Sequence, residues 1–168
     1  MHKANPRSAA VDALVRIENR VFINKALDDV LSEYELSDLN RGLATEIVYG
    51  TVRMQKTIDY ILDMISSIKT CDLNQQVRSI LRAGAYQILY LDRVPVSAAV
   101  NEAVKMTKRL KLHRASGFVN GVLRNLLRQY NQIQFPDIAS NPLSHICTKY
   151  SYPEWIISRW IERYGVQN

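Results

Sequence analysis

Residues 77–130, VRSILRAGAYQILYLDRVPVSAAVNEAVKMTKRLKLHRASGFVNGVLRNLLRQY, decide the fold. They read as three helices in series, each with an apolar arc and a polar one. On a wheel of about 100° per residue, Val77, Ile80, Leu81, Gly84, Ala85, Ile88 and Leu89 share one arc of a helix expected over 74–92. A glycine within such an arc costs about 1 kcal/mol against alanine, so a neighbouring helix is expected to approach closely at Gly84. Val94-Pro95 ends that helix, because the residue before proline is pushed out of the α region. The next, over 96–110, sets Val96, Val100, Ala103, Val104, Thr107 and Leu110 against Asn101, Glu102, Lys105, Lys108 and Arg109. The third, over 115–130, buries Phe118, Val119, Val122, Leu123, Leu126, Leu127 and Tyr130, and turns Arg114, Arg124 and Arg128 outward with Gly121 bare between them.

The same stretch holds a charge asymmetry. From Ala103 to Pro136 there are seven cations (Lys105, Lys108, Arg109, Lys111, Arg114, Arg124 and Arg128) and no acid. The chain nets +6, so the remaining residues sum to about −1 (+6 minus +7). An excess of one sign on consecutive helices is the footprint of a surface that meets a polyanion. Arg78, Arg82, Tyr86 and Arg93 lie on the flank of the first helix, where two readings stand. They could grip phosphates and stack a base, or the arginines could pair with acids while Tyr86 packs. For the two later helices the competing reading is an ordinary solvated face.

Outward from this stretch the helical period continues. Asn5-Pro6 suits a helix start, since Asn caps and Pro tolerates the first position, and Ala10, Leu14 and Ile17 follow at core spacing, fading near Asn19. A short helix over 25–32 presents Ala26, Leu27, Val30 and Leu31. Ser37-Asp38 opens a third with Leu39, Leu43, Ile47 and Thr51 inward, and 57–65 makes a fourth with Ile58, Ile61, Leu62 and Ile65. No sustained alternation of period two occurs, so the fold class is all-α. After Gln132 the composition turns to Pro, Asn, Ser and Asp, which predicts a linker over 133–150. Ser151 and Glu154 have capping-box spacing ahead of an aromatic amphipathic helix containing Trp155, Ile156, Trp160 and Ile161. That helix is expected to lie outside the bundle, with too little partner of its own.

At 168 residues the chain suits one domain with a real core, and its hydrophobic content of 47% argues against global disorder. No apolar run approaches the roughly 20 residues of a spanning helix, and the first residues lack the apolar core of a secretory signal. A cytoplasmic protein is expected. Cys71 and Cys147 stand alone, read as idle thiols or else as a long-range disulfide, and a zinc site is unsupported. No dinucleotide or phosphate-cradling Gly-rich loop follows a strand, and no HExxH or GxSxG occurs. His2, His113 and His145 are scattered, and His113 suits capping or phosphate contact better than catalysis. The residues predict a chain that binds and does not itself react, with no catalytic, cofactor or metal residue.

LRAGAYQILYLDRVPVSAAVNEAVKMTK followed by GFVNGVLRN resembles the NusB-like RNA-binding domain, and RGLATEIVYGTVR over 41–53 fits the same family's third helix. The likeness is closest to the version at the amino end of Sun/Fmu-type 16S rRNA cytosine-C5 methyltransferases. YPEWIISRWIERYG resembles the segment leading into the methyltransferase domain. The resemblance spans about residues 5–165. It implies a bundle of about seven helices in two subdomains over 1–132, the linker over 133–150, and over 151–168 the start of that segment.

It further implies 16S ribosomal RNA and a methyltransferase domain of the same chain as partners, with S-adenosylmethionine in the full-length parent and none in this portion. Cys71 and Cys147 match no catalytic position. Asn101, Glu102 and Lys105 match the NEAVK signature, and Asn120 and Arg124 match FVNxVLR. Glu102 is expected to order a neighbouring cation such as Arg109. Of the family's arginine-rich amino terminus only Lys3 and Arg7 remain. The expected RNA contacts are Arg78, Arg82, Asn101, Lys105, Lys108, Arg109, Lys111, Arg114, Arg124 and Arg128. A free-standing antitermination factor and a docking module without RNA contact remain the rival readings.

Overall fold

The structure, a computed structural model, describes residues 5–165. His2 and Lys3 lie outside the described residues. Within them are nine α-helices and no strand: α1 Pro6–Glu18, α2 Ile23–Glu33, α3 Asp38–Arg53, α4 Gln55–Ile65, α5 Gln75–Tyr90, α6 Val96–Arg109, α7 Ser116–Gln129, α8 Pro142–Tyr150 and α9 Glu154–Tyr164. Asn5 caps α1, its side-chain oxygen accepting from the amides of Arg7 and Ser8 at 3.0 and 3.2 Å. No helix among the described residues is long and apolar enough to cross a membrane. Cys71 is exposed, Cys147 is buried, and both are free thiols.

α5 is the helix the others pack around. It contacts α1, α3, α4, α6 and α7. Its Ile80, Leu81 and Ala85 are completely buried, and burial of an Ile or Leu side chain stabilises by about 1.5–3 kcal/mol. The close approach expected at Gly84 comes from α7: a Cβ there would sit 3.0 Å from Leu123 Cδ1. A tighter approach occurs at Gly50 of α3, where a Cβ would fall 1.9 Å from Tyr86 Cζ.

Two apolar assignments differ from expectation for the same reason. Leu39, Leu43, Ile47 and Thr51 are spaced by four, which rotates about 40° per step around a helix. Ile47 and Thr51 are buried, but Leu39 has turned out of the core and is 84% exposed. In α7 the arc centred on Val119, Val122, Leu123 and Leu126 is buried, while Leu127, about 90° from its centre, is 45% exposed. Tyr130 lies past the end of α7 in a short 3-10 turn and is 41% exposed.

The stretch expected to be a linker is folded against the bundle. α8 forms within it, capped by Asn141 with Pro142 at the first position, and packs on α4, with α9 packed on α8. Tyr60 of α4 stacks on Phe135 at 5.4 Å and donates to the Gln134 carbonyl at 2.7 Å. Ser151 does not cap α9, whose N-cap position is Pro153. It takes a left-handed conformation (φ 57°) after α8 and accepts from the Thr57 amide at 2.9 Å. The first turn of α4 lacks a cap from its own N-cap residue, so this remote serine satisfies one of its open donors. α9 thus has a partner in α8, with Ile157 buried between them, while Trp155 and Trp160 stay 69% and 52% exposed.

Candidate nucleic-acid interface

The cations proposed from the sequence separate into two groups. On α5, Arg82 is buried and donates from Nε and Nη2 to the two Asp59 oxygens, both at 2.7 Å, and from Nη1 to Glu18. Arg78 forms a two-point pair with Glu18 at 2.8 and 3.1 Å and donates to the Thr70 and Leu73 carbonyls. The Glu18 hydrogen bond pushes the Arg78 guanidinium above its ordinary range. Tyr86 is buried and donates to Glu46 at 2.6 Å; burial first, then this carboxylate, pushes its hydroxyl up to about 12. Of the two readings of this flank, the one in which the arginines pair and Tyr86 packs holds. Arg78 and Arg82 tie α5 to α1 and α4, with their charge set against the Glu18 and Asp59 carboxylates.

The second group lies on α6, α7 and the turn between them. Asn101, Val104, Lys105 and Lys108 of α6 face Ser116, Gly117 and Asn120 of α7 across an open groove of about 430 Å3. The two sequence signatures therefore meet in one place, 15 residues apart at their nearest named members (Lys105 and Asn120) but on adjacent helices. Thr107 and Ser116 join the helices at the groove floor, their hydroxyls 2.5 Å apart. Gly117 and Gly121 have nothing within 4 Å of where a Cβ would be, so a ligand can reach the α7 backbone there.

Glu102 orders a neighbouring cation, as expected; the cation is Lys105, at 2.7 Å, and not Arg109. It also accepts from Asn5 at 2.7 Å, fastening the start of α1 to α6. The Lys105 hydrogen bond, with help from Asn5, holds the Glu102 carboxyl below the usual carboxylate range. Arg109 instead meets Asp12 at 3.4 Å and the Tyr34 hydroxyl at 3.1 Å. Arg7, from the residual basic amino terminus, donates to Gln87 at 2.6 Å.

The seven cations are therefore not all unbalanced, because Glu102 precedes the acid-free segment and Asp12 arrives from α1. Lys108, Lys111, Arg114, Arg124 and Arg128 are exposed and have no carboxylate partner among the described residues. Two of them are held by neutral groups. Arg124 Nε donates to Asn120 Oδ1 at 3.1 Å and Arg128 Nη2 to Asn125 Oδ1 at 2.9 Å. An amide oxygen orients a guanidinium and leaves its charge intact. Lys111 closes α6 in a left-handed conformation (φ 60°), with its amide on the Lys108 carbonyl at 3.0 Å and that of Leu112 on Thr107 at 2.7 Å. This hydrogen-bond pair is the helix ending usually built on glycine, and here it sets a lysine at the turn beside Arg114.

Ser116, Gly117 and Asn125 were not singled out from the sequence. The Asn–Arg spacings of four and three in α7 were legible signals for the last; the groove needed α6 and α7 in contact. Among the described residues no group of three or more His, Cys, Asp or Glu could hold a metal ion.

Residues 4–128 match the model of the NusB family. The chain is 37% identical over 169 residues to the probable ribosomal RNA small subunit methyltransferase B of Bacillus subtilis, covering 99% of this chain and 37% of that protein. A protein of the same name from Synechocystis is 33% identical over 144 residues, 86% of this chain and 32% of the relative. The chain thus spans little more than a third of the length of these curated relatives. In structure it is similar to the solution structure of NusB from Aquifex aeolicus, with TM-score 0.65 and 23% identity over 80% of this chain and 95% of that one. A helical bundle centred on α5, the paired signatures across the α6–α7 groove and the match over most of its length agree: this chain belongs to the NusB family.

Proposed function

We propose that this chain is the RNA-binding domain of an S-adenosylmethionine-dependent 16S rRNA (cytosine-C5) methyltransferase acting in the cytoplasm, and that it holds and orients rRNA for a methyltransferase domain of the same chain. One observation carries the RNA reading: five exposed cations without carboxylate partners continue from a groove where Asn101, Lys105 and Asn120 converge. Counterion release from a polyanion is the free energy such a surface can gain.

The methyltransferase reading is supported by what lies beyond the family match. Similarity to the Bacillus subtilis relative covers 99% of the chain, α8 and α9 included, whereas the NusB match ends at residue 128. S-adenosylmethionine does not fit the residues described here. They are helical throughout and offer no strand-to-loop cradle for a nucleoside, so the cofactor belongs to the further length that the relatives possess. On this reading the exposed aromatic groove between α8 and α9, lined by Tyr150, Tyr152, Trp160 and Tyr164, meets the methyltransferase domain.

The test is the salt dependence of binding to a 16S rRNA fragment, followed by fluorescence anisotropy. Five phosphate contacts at roughly 0.7–0.9 each predict that log affinity falls against log salt with a slope of roughly 3–5. Charge reversal at Lys108, Arg124 and Arg128 together is expected to lower that slope by roughly 2. An unchanged slope rejects this surface, and a flat response in the parent chain favours a docking module that touches no RNA.

A further inference from the structure

The outer face of α7 continues from the groove as one stripe. Gly117, Asn120, Arg124, Leu127 and Arg128 fall within about 100° of one another and span about 16 Å along the axis. Its second half carries Arg124 and Arg128, with apolar surface beside them at Leu127 and, just past the end of α7, at Tyr130. Leu127 and Tyr130 are 45% and 41% exposed, although every other large apolar residue of α7 is at least partly buried. Burial, and next the Tyr130 hydroxyl, pushes Tyr90 up to about 12. Tyr90 in turn packs on Tyr86 at 5.2 Å, and Tyr86 is anchored to Glu46.

From this arrangement we infer that α7 seats an unpaired segment of RNA, with phosphates at Arg124 and Arg128 and a base stacked on the exposed ring of Tyr130. The inference rests on the RNA reading above and narrows its ligand to single strand. A duplex turns its ribose-phosphate backbone outward and keeps its bases stacked inside, so Leu127 and Tyr130 would meet ribose and phosphate with no base to stack. An unpaired base has a free π face, and every base has one. Asn120 and Asn125 orient the two guanidiniums without neutralising them, which is the preorganisation a flexible strand needs.

The experiment compares a labelled oligoribonucleotide of about 12 nucleotides, its duplex with the complementary strand, and an abasic strand of the same length. Tyr130→Ala is expected to weaken single-strand binding roughly 5- to 50-fold and Tyr130→Phe less than about twofold. Duplex binding is expected to change by less than about twofold for either variant. The native chain is expected to bind the abasic strand roughly 5- to 50-fold more weakly than the intact one, an outcome that involves no variant and so does not depend on how one folds. Equal single-strand affinity of Tyr130→Ala and the native chain, or full affinity for the abasic strand, overturns the stacking. If Lys108→Glu, Arg124→Glu and Arg128→Glu together still weaken binding in that case, the RNA surface stands and only the stacked base is lost. If they too change nothing, the RNA reading itself fails.

Discussion

Arg78 and Arg82 on α5 and Arg124 and Arg128 on α7 occur at the same spacing, four residues apart, on adjacent amphipathic helices. The first pair is held by carboxylates and largely withdrawn from water: the Arg82 side chain is 10% exposed and rests on Glu18 and Asp59. The second pair is exposed and held by the amide oxygens of Asn120 and Asn125. A carboxylate partner both positions a guanidinium and cancels its field, which makes a tie between helices. An amide partner only positions it, which leaves a charge on offer. What matters for an arginine in this fold is the chemistry of its acceptor, more than its place on the wheel.

The sharpest way to break this contrast is on the α5 side. Arg82→Ala leaves Asp59 without its guanidinium, and removing one member of a buried ion pair costs about 3–5 kcal/mol. Urea denaturation is expected to show a loss of about that size, while the salt slope for RNA stays unchanged. A lowered slope with little loss of stability would exchange the roles assigned to the two pairs. Gly50→Ala comes next, because a Cβ at 1.9 Å from the Tyr86 ring must displace it from Glu46. Overpacking of this kind costs about 1–3 kcal/mol, and the thermal midpoint is the readout, with RNA affinity again unmoved.

The smallest effect sharpens the α7 side. Asn120→Asp with Asn125→Asp converts both holders into carboxylates and is expected to lower the salt slope by roughly 1, with affinity falling several-fold. Asn120→Ala with Asn125→Ala removes the orientation and keeps the charge, so the slope is expected to hold. Equal slopes in the two double variants would show that the amides do not matter for the charge presented.

Helix by helix, much of this architecture was legible. The caps at Asn5 and Asn141 and the break at Val94-Pro95 are written in residues next to the structures they end, although Asn141 was read as linker. Gly84 announced a close helix, which proved to be α7. The linker reading of 133–150 failed because polar and proline-rich composition also suits a short capped helix, and α8 is held by contacts to α4 that no local pattern records. Likewise Ser151 was read as a cap for the helix after it, when its hydrogen bond goes to Thr57, 94 residues earlier.

By itself the sequence determined that the chain is helical, which faces are apolar, and that seven cations without an interleaved acid lie along α6, α7 and the turn joining them, since all three follow from residue order and its period of 3.6. Tertiary structure alone decided which cations remain charged toward solvent. Glu18, Asp59 and Asp12 reach their arginines only after α1 and α4 dock. Charge neutralisation acts over a few ångströms of space and is blind to separation along the chain. A count of cations along a segment therefore bounds the binding surface, and only the packing of helices selects it.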